Sequence, residues 1–160
     1  MLTADEIVSF YPEVRQPCFM YHLDQAMVIL PGKHVGIAKI IDVALSDPIQ
    51  HKKIEEANLY LSKLRLQMKN MGYKILDIEM TPSNLLNFQH NVNVIPYIDA
   101  KTGRRSLLMP IFKSKGDDIE MVIAEKNKQA FESVGFTVIP VITKSHEFKG
   151  GIHCLINVIE

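Results

Sequence analysis

A cysteine near the end of the sequence is a candidate for chemistry, because a thiolate is a good nucleophile. Cys154 lies in the stretch GGIHCLINVIE and directly follows His153. A free cysteine is also a common small apolar residue of protein cores, so a packing role remains an alternative. The apolar residues around it predict a strand over 152–158. Neighbouring side chains of a strand point to opposite faces, so His153 is not expected to reach the sulfur.

The base that activates this thiol is therefore expected elsewhere, and His22 is the best candidate. His22 and Asp24 stand two residues apart in the stretch YHLDQAMVIL, which is rich in strand-forming residues. On a strand both side chains would share one face, so an imidazole and a carboxylate could act on the same bound group. A solvated polar face beside a structural histidine is the alternative for this common pattern.

Two further features near the C-terminus bear on a binding site. Gly150 and Gly151 would let the backbone approach a ligand closely, although a simple tight turn explains them equally well. His146, His153 and Cys154 do not have the spacing of a zinc motif. We therefore predict no metal and no cofactor.

The elements that must position these residues occur in a repeated order. Strands are predicted, in chain order, over 18–30, 35–41, 73–80, 91–99, 106–112 and 136–142. Each set of three strands has a helix between its second and third member. The sequence thus predicts an α/β fold of two ββαβ modules, about 19–80 and 91–142, followed by the strand 152–158. An ordinary α+β domain whose halves look alike by chance is the alternative.

The two helices are the clearest elements of the pattern. The first is predicted over 48–71, because an Asp-Pro pair begins it, apolar residues recur at intervals of three and four, and Gly72 ends it. The second is predicted over 117–134, with two aspartates at its start and Gly135 after its end. Both helices precede a strand of their own module.

Composition limits the classes of function. The 160 residues suffice for a single domain, 1–160, and 47% hydrophobic with 22% charged residues is an ordinary globular composition. Lys+Arg and Asp+Glu both number 18, so no net charge attracts nucleic acid or a membrane surface. Two cysteines form no disulfide framework, and no stretch approaches the ~18 apolar residues of a membrane helix. We expect a cytoplasmic protein.

Taken together, these stretches resemble the guanidine-modifying (pentein) superfamily, which includes the agmatine and peptidylarginine deiminases. YHLDQAMVIL resembles the Gly-His-x-Asp strand of that superfamily, and GGIHCLINV is similar to its terminal Gly-Gly-x-x-His-Cys. LLNFQHNVNVIPYID, followed by a helix and a strand, fits as well. The resemblance runs from about residue 19 to the end. It departs at Tyr21, where many relatives have glycine, and at Ile156, where threonine is common.

The resemblance implies a partial pentein fold (an α/β propeller of ββαβ modules), with this chain as its C-terminal part. It implies hydrolysis of a guanidine group through a covalent amidino-cysteine intermediate. In that scheme Cys154 is the nucleophile, His22 the acid and base, and Asp24 a ligand of the guanidinium, with Gly150 and Gly151 beside the substrate. No cofactor is implied.

The partners implied are a guanidino small molecule or an arginyl peptide. Only about 20 residues precede His22, so the further carboxylates that the superfamily uses have no assigned counterpart here. We therefore expect a homo-oligomer or missing N-terminal modules to complete the catalytic unit. A non-catalytic pentein-type binding or assembly module is the alternative function.

Overall fold

The first sheet is built from the early part of the chain. In the computed structural model, which describes residues 17, 20, 22–42, 47–112, 118–144, 147 and 151–155 (backbone alone for 154 and 155), it has the order β1-β2-β3. β1 (Met27–Leu30) pairs antiparallel with β2 (His34–Ile40), and β2 pairs parallel with β3 (Lys74–Met80). A glycine turn with Gly32 at φ 74° connects β1 to β2.

Helix α1 (Pro48–Asn70) connects β2 to β3. It begins where the sequence predicts, because the side chain of Asp47 accepts a hydrogen bond from the backbone N–H of Ile49 at 2.9 Å. It ends before Gly72, whose φ of 78° suits a glycine. Its buried face packs on β2 and β3.

The second sheet repeats this order with the following residues. β4 (Ile95–Ile98) pairs antiparallel with β5 (Arg105–Ile111), and β5 pairs parallel with β6 (Thr137–Ile142). Helix α3 (Asp118–Glu132) connects β5 to β6. The chain thus forms two ββαβ units, one with β1–β3 and α1 and the other with β4–β6 and α3. A short helix α2 (Pro82–Leu86), capped by the side chain of Thr81, lies between the two units in the chain and was not predicted.

The described part of the chain is thus a mixed α/β structure with two three-stranded sheets. A single cluster of buried apolar residues includes members of both units, such as Ile37 and Met68 in the first and Leu107 and Phe131 in the second. Gly36 of β2 admits this packing, because an added Cβ would lie 3.0 Å from Val28 and 3.5 Å from the Phe131 ring. No helix of the described residues is long and apolar enough to cross a membrane.

Helix α3 joins the two units through one buried amide. Asn127 is 1% exposed and donates to the backbone carbonyl of Glu79 in β3 at 2.8 Å. The backbone N–H of Glu79 donates in turn to the side-chain oxygen of Asn127 at 2.7 Å. This side chain therefore bonds to the edge of β3 as a neighbouring strand would.

The predicted first strand is wrong over its early residues. Leu23–Gln25 form a short 3-10 turn, and β1 begins only at Met27. The turn is fixed by two local hydrogen bonds between His22 and Gln25: the backbone N–H of Gln25 donates to the His22 carbonyl at 3.0 Å, and the His22 N–H donates to Gln25 Oε1 at 3.2 Å. Residues 18, 19 and 21 of the predicted strand lie outside the described residues.

The predicted terminal strand also differs from the structure. Ile152–Leu155 form a short helical turn, α4, and residues 156–158 lie outside the described residues. The backbone N–H of His153 donates to the side-chain oxygen of Asn93 at 2.8 Å instead of to a strand. A contact from a distant part of the chain therefore decides the local conformation here.

Candidate active site

An aspartate and a histidine that are far apart in sequence meet at the centre of the candidate site. His153 Nδ1 lies 2.9 Å from Asp24 Oδ2. The imidazole is half exposed, with 53% of its side chain accessible, whereas the Asp24 side chain is 27% exposed. A carboxylate only accepts hydrogen bonds, so Nδ1 is the donor and Nε2 of the neutral ring is left as the acceptor.

The position of His153 overturns the expectation drawn from strand geometry. On a strand, the side chain of His153 would point away from the Cys154 sulfur. Residues 152–155 are instead helical, and the His153 ring contacts Asp24. His22 and Asp24 likewise do not share the face of a strand, because both belong to the capped turn before β1. His22 is exposed at the start of that turn.

The candidate nucleophile is carried by the same short helix as His153. Cys154 is the next residue of α4, and its side chain lies outside the described residues. Gly150 and Tyr21 also lie outside them. The described contacts therefore bring Asp24 to the segment that bears Cys154, whereas the approach of the sulfur to Asp24 or His22 stays a prediction.

Gly151 is buried and has a different neighbour from the one expected. The sequence suggested a close approach of its backbone to a substrate. In the structure the backbone packs against Asn93, and an added Cβ would overlap that side chain, 2.6 Å from its Cβ atom. Only glycine leaves room for the amide at this point.

Asn93 connects both halves of the site and was not singled out from the sequence. Its side chain is fully buried, accepts from the His153 N–H at 2.8 Å and donates to the backbone carbonyl of Asp24 at 3.3 Å. The signal available in the sequence was a polar residue between two apolar ones, Val92 and Val94, where a buried side chain needs hydrogen-bond partners.

His90 is a second residue that sequence reasoning left without a role. It is fully buried, and neither ring nitrogen makes a hydrogen bond of ordinary geometry to the described residues. Burial lowers the pKa of His90 from 6.5 to about 4, while the Asp24 carboxylate and the backbone of Gln25 act in the opposite direction. The imidazole is therefore neutral at physiological pH, and no sequence neighbour indicated this.

The site lies where the parallel strands of both sheets end. Asp24 precedes β1, which runs antiparallel to β2, so Asp24 is at the end of the sheet where β2 finishes. Asn93 precedes β4, which runs antiparallel to β5, so Asn93 is at the end where β5 finishes. The carboxyl ends of parallel strands are the usual place for ligands in α/β proteins.

A buried carboxylate is held near the same loop. Glu120 of α3 is 9% exposed, and its Oε2 accepts a hydrogen bond of 2.9 Å from the side chain of Asn84. Asn84 is held by Thr81 and reaches Asn91 at 3.5 Å. Asn84 is thus a neutral donor to Glu120, and the described contacts do not connect Glu120 to Asp24.

An open cavity of about 460 Å³ lies away from these residues. It is lined by Lys39, Arg65, Lys69, Ile75 and Asp77. Burial tends to raise the pKa of Asp77, but the charges of Arg65 and Lys39 outweigh it and hold the pKa below its usual value. The cationic groups of Arg65 and Lys39 are thus engaged with a carboxylate of the protein itself.

No three His, Cys, Asp or Glu side chains of the described residues are grouped so that they could hold a metal ion. His146, one of the residues weighed for such a site, lies outside the described residues. The described groups are suited to proton transfer and to binding a cation by a carboxylate.

Comparison with models of protein families gives no match. A search of curated proteins gives no match either. Among solved structures, the chain is similar to the agmatine deiminase of C. jejuni, with 16% sequence identity and a TM-score of 0.48. The match covers 88% of this chain and 39% of that one, so the chain spans about two fifths of the length of the agmatine deiminase.

Proposed function

We propose that this chain is part of a guanidine-group hydrolase of the deiminase type. The observation that carries the proposal is the hydrogen bond between Asp24 and His153, because it joins a carboxylate to the segment that bears Cys154. A nucleophile, imidazoles and a carboxylate are the groups that this reaction needs. The resemblance of the surrounding sequence stretches to the pentein superfamily supports the same assignment.

The proposed chemistry begins with the thiolate of Cys154. Its sulfur attacks the planar guanidinium carbon to form a tetrahedral adduct. Ammonia then leaves with a proton from an imidazole, and an amidino-cysteine remains. Water attacks the same carbon, its proton passes to the imidazole, and the thiolate leaves as the ureido product forms. The net reaction consumes one water and releases one ammonium ion.

Asp24 is proposed to hold the guanidinium cation. A carboxylate forms strong, charge-assisted hydrogen bonds with guanidinium N–H groups. Such contacts would orient the carbon toward Cys154, which is a large part of what a catalyst contributes to a two-group reaction. The arriving cation would also favour the thiolate over the thiol.

Two imidazoles compete for the acid and base role. His22 is our assignment from the sequence, and it stands in the same turn as Asp24. His153 is added by the structure, because Asp24 holds its Nδ1 and leaves Nε2 for proton transfer. The proposal keeps His22 as the acid and base. A His153 variant must show that His153 does not fill this role.

We further propose that the active unit is larger than the described part of this chain. The chain spans about two fifths of the agmatine deiminase that it resembles in fold. A planar guanidinium has more donors than Asp24 alone can accept. Further ββαβ modules, from the same polypeptide or from a second copy, would supply additional carboxylates and complete a ring of the propeller type.

The second candidate function is a non-catalytic binding or assembly module. It is favoured by the state of the Asp24 carboxylate, whose Oδ2 contacts His153 and whose Oδ1 is buried. A carboxylate that is engaged in this way offers less to an incoming cation. Binding without turnover would then be the observable property.

The test is an assay of ammonia and ureido product from agmatine, arginine and arginyl peptides. We expect slow or no turnover by the isolated 160-residue chain, and formation of product once the completing modules are present. Mass spectrometry of the quenched reaction should find Cys154 carrying the substrate minus ammonia. The matched control is Cys18→Ala, which should retain the adduct that Cys154→Ala loses.

Histidine variants separate the proton-transfer roles. His22→Ala should abolish turnover, whereas His153→Ala should retain a substantial part of it. The reverse order would assign the acid and base role to His153. Binding of guanidino compounds with no adduct and no product, in the completed assembly, would exclude the hydrolase and establish the binding module.

A further inference from the structure

We infer that Asn93 is the positioning residue that sets His153 against Asp24. One amide side chain accepts from the backbone N–H of His153 at 2.8 Å and donates to the backbone carbonyl of Asp24 at 3.3 Å. It thereby holds both residues of the Asp24–His153 hydrogen bond by their main chains. The inference concerns the geometry of the pair, and its test does not depend on the proposed function.

The orientation of this amide is determined by its partners. The oxygen of Asn93 faces a donor and the nitrogen faces an acceptor, so exchanging them would put like groups together at both ends. Asn93 is fully buried, so loss of a partner would leave a buried polar group without a hydrogen bond. The amide carries its acceptor and its donor on two separate atoms, so one side chain can reach both backbone groups.

Gly151 restricts the amide from the other side. The backbone at Gly151 approaches so closely that an added Cβ would overlap the side chain of Asn93. The amide is therefore held in place by packing against α4 as well as by its hydrogen bonds. Asn93 therefore fixes the position of the start of α4, and with it the ring of His153.

The loop that carries Asn93 is itself fixed. The backbone N–H of Asn93 donates to the carbonyl of His90 at 3.0 Å, and that of Val94 donates to Val92 at 2.8 Å. His90 and Val92 are buried, which anchors this loop in the core. A rigid base below the amide is what a positioning residue needs if it is to place another group accurately.

The test measures the tautomer of the neutral His153 ring, that is, which ring nitrogen carries the proton. If Asn93 only stabilised the fold, its loss would not change this tautomer. Two-bond ¹⁵N–¹H correlation spectra, recorded at a pH where the ring is neutral, distinguish an Nδ1–H ring from an Nε2–H ring through its carbon-bound protons. Loss of the signal in His153→Gln identifies it. Asp24 as acceptor selects the Nδ1–H form, and Asp24→Ala gives the reference without that acceptor.

We expect Asn93→Ala to lower the ratio of Nδ1–H to Nε2–H roughly fivefold, to the level of Asp24→Ala. The matched control is Asn127→Ala, because Asn127 is also a buried asparagine with two side-chain-to-backbone hydrogen bonds, in this case to β3. It should destabilise the fold to a similar degree and leave the ratio unchanged. A ratio that is unchanged in Asn93→Ala, or lowered equally in Asn127→Ala, would overturn the inference.

Gly151→Ala provides an independent variant if Asn93→Ala fails to fold. Its methyl group displaces the amide of Asn93 without removing it, and the same fall in the ratio is expected. An unchanged ratio there contradicts the inference just as directly. The spectra need no substrate, so expected ratios together with a completed assembly that forms neither adduct nor product would refute the proposed function alone.

Discussion

Acid should weaken the folded state through His90, and the size of the effect can be worked out from the structure. The imidazole is fully buried, and burial lowers its pKa from 6.5 to about 4. The unfolded chain therefore binds a proton on His90 at a pH where the folded chain does not. Below pH 6.5 this difference favours unfolding, and the contribution is fully lost once the pH reaches about 4.

A shift from 6.5 to about 4 corresponds to about 3 kcal/mol in total. Over an accessible range the linkage relation gives a fall of about 2 kcal/mol in the free energy of unfolding between roughly pH 7 and pH 5. Carboxylates contribute their own pH dependence in this range. The difference between wild type and a His90 variant isolates the part that belongs to this residue.

Urea unfolding at a series of pH values measures this difference. His90→Gln should lose the His90 share of the pH dependence, so that its curve falls about 2 kcal/mol less than that of the wild type. His51→Gln is the matched control, because His51 is exposed on α1 beside Glu55. If His90→Gln and wild type lose the same stability between these pH values, His90 is not a buried neutral group and the reasoning fails.

Three further expectations concern stability and are measured by urea or thermal unfolding. Asn127→Ala should cost about 1–3 kcal/mol, because both backbone groups of Glu79 lose their partner; a cost near zero would show that water replaces the amide. Gly151→Ala should cost about 1–3 kcal/mol, and adding Asn93→Gly should make that same glycine substitution nearly neutral; purely additive effects would contradict the close contact. Asp47→Ala should cost about 1 kcal/mol by removing the cap of α1, and an unchanged midpoint would count against that cap.

The helices could be predicted from the sequence because their signals are local. The adjacent residues Asp47 and Pro48 mark the start of α1, and the apolar spacing follows the helical repeat up to Gly72. Two aspartates mark the start of α3, and Gly135 marks its end. Such signals need no knowledge of what packs on the helix, so the boundaries agree with the structure to within a residue or two.

The turn at Leu23–Gln25 could not be predicted in this way. Its residues lie among strand formers, and the alternation of His22 and Asp24 suggested one face of a strand. What decides the conformation is the burial of Gln25 and its bond to the His22 backbone. A side chain that caps a turn competes with strand pairing, and composition alone does not reveal which of the two prevails.

The contact of His153 with Asp24 depends on residues that are distant in sequence. Asn93 removes the His153 N–H from strand pairing, and its fit against Gly151 is visible only in three dimensions. The sequence indicated Asp24 and the C-terminal segment as site residues. It could not indicate which histidine contacts the carboxylate, because that follows from tertiary packing.

The hydrogen bonds of Asn127 have a consequence for how the sequence of β3 can change. Because Asn127 bonds to the backbone of Glu79, these two hydrogen bonds between the units do not depend on the side chain at position 79. Replacing Glu79 costs its ion pairs with Lys126 at 3.2 Å and Lys39 at 4.0 Å, and ion pairs with such exposed lysines contribute little. Proline is the exception, since it lacks the N–H that Asn127 accepts. Position 127 is restricted to asparagine, while position 79 is free to drift.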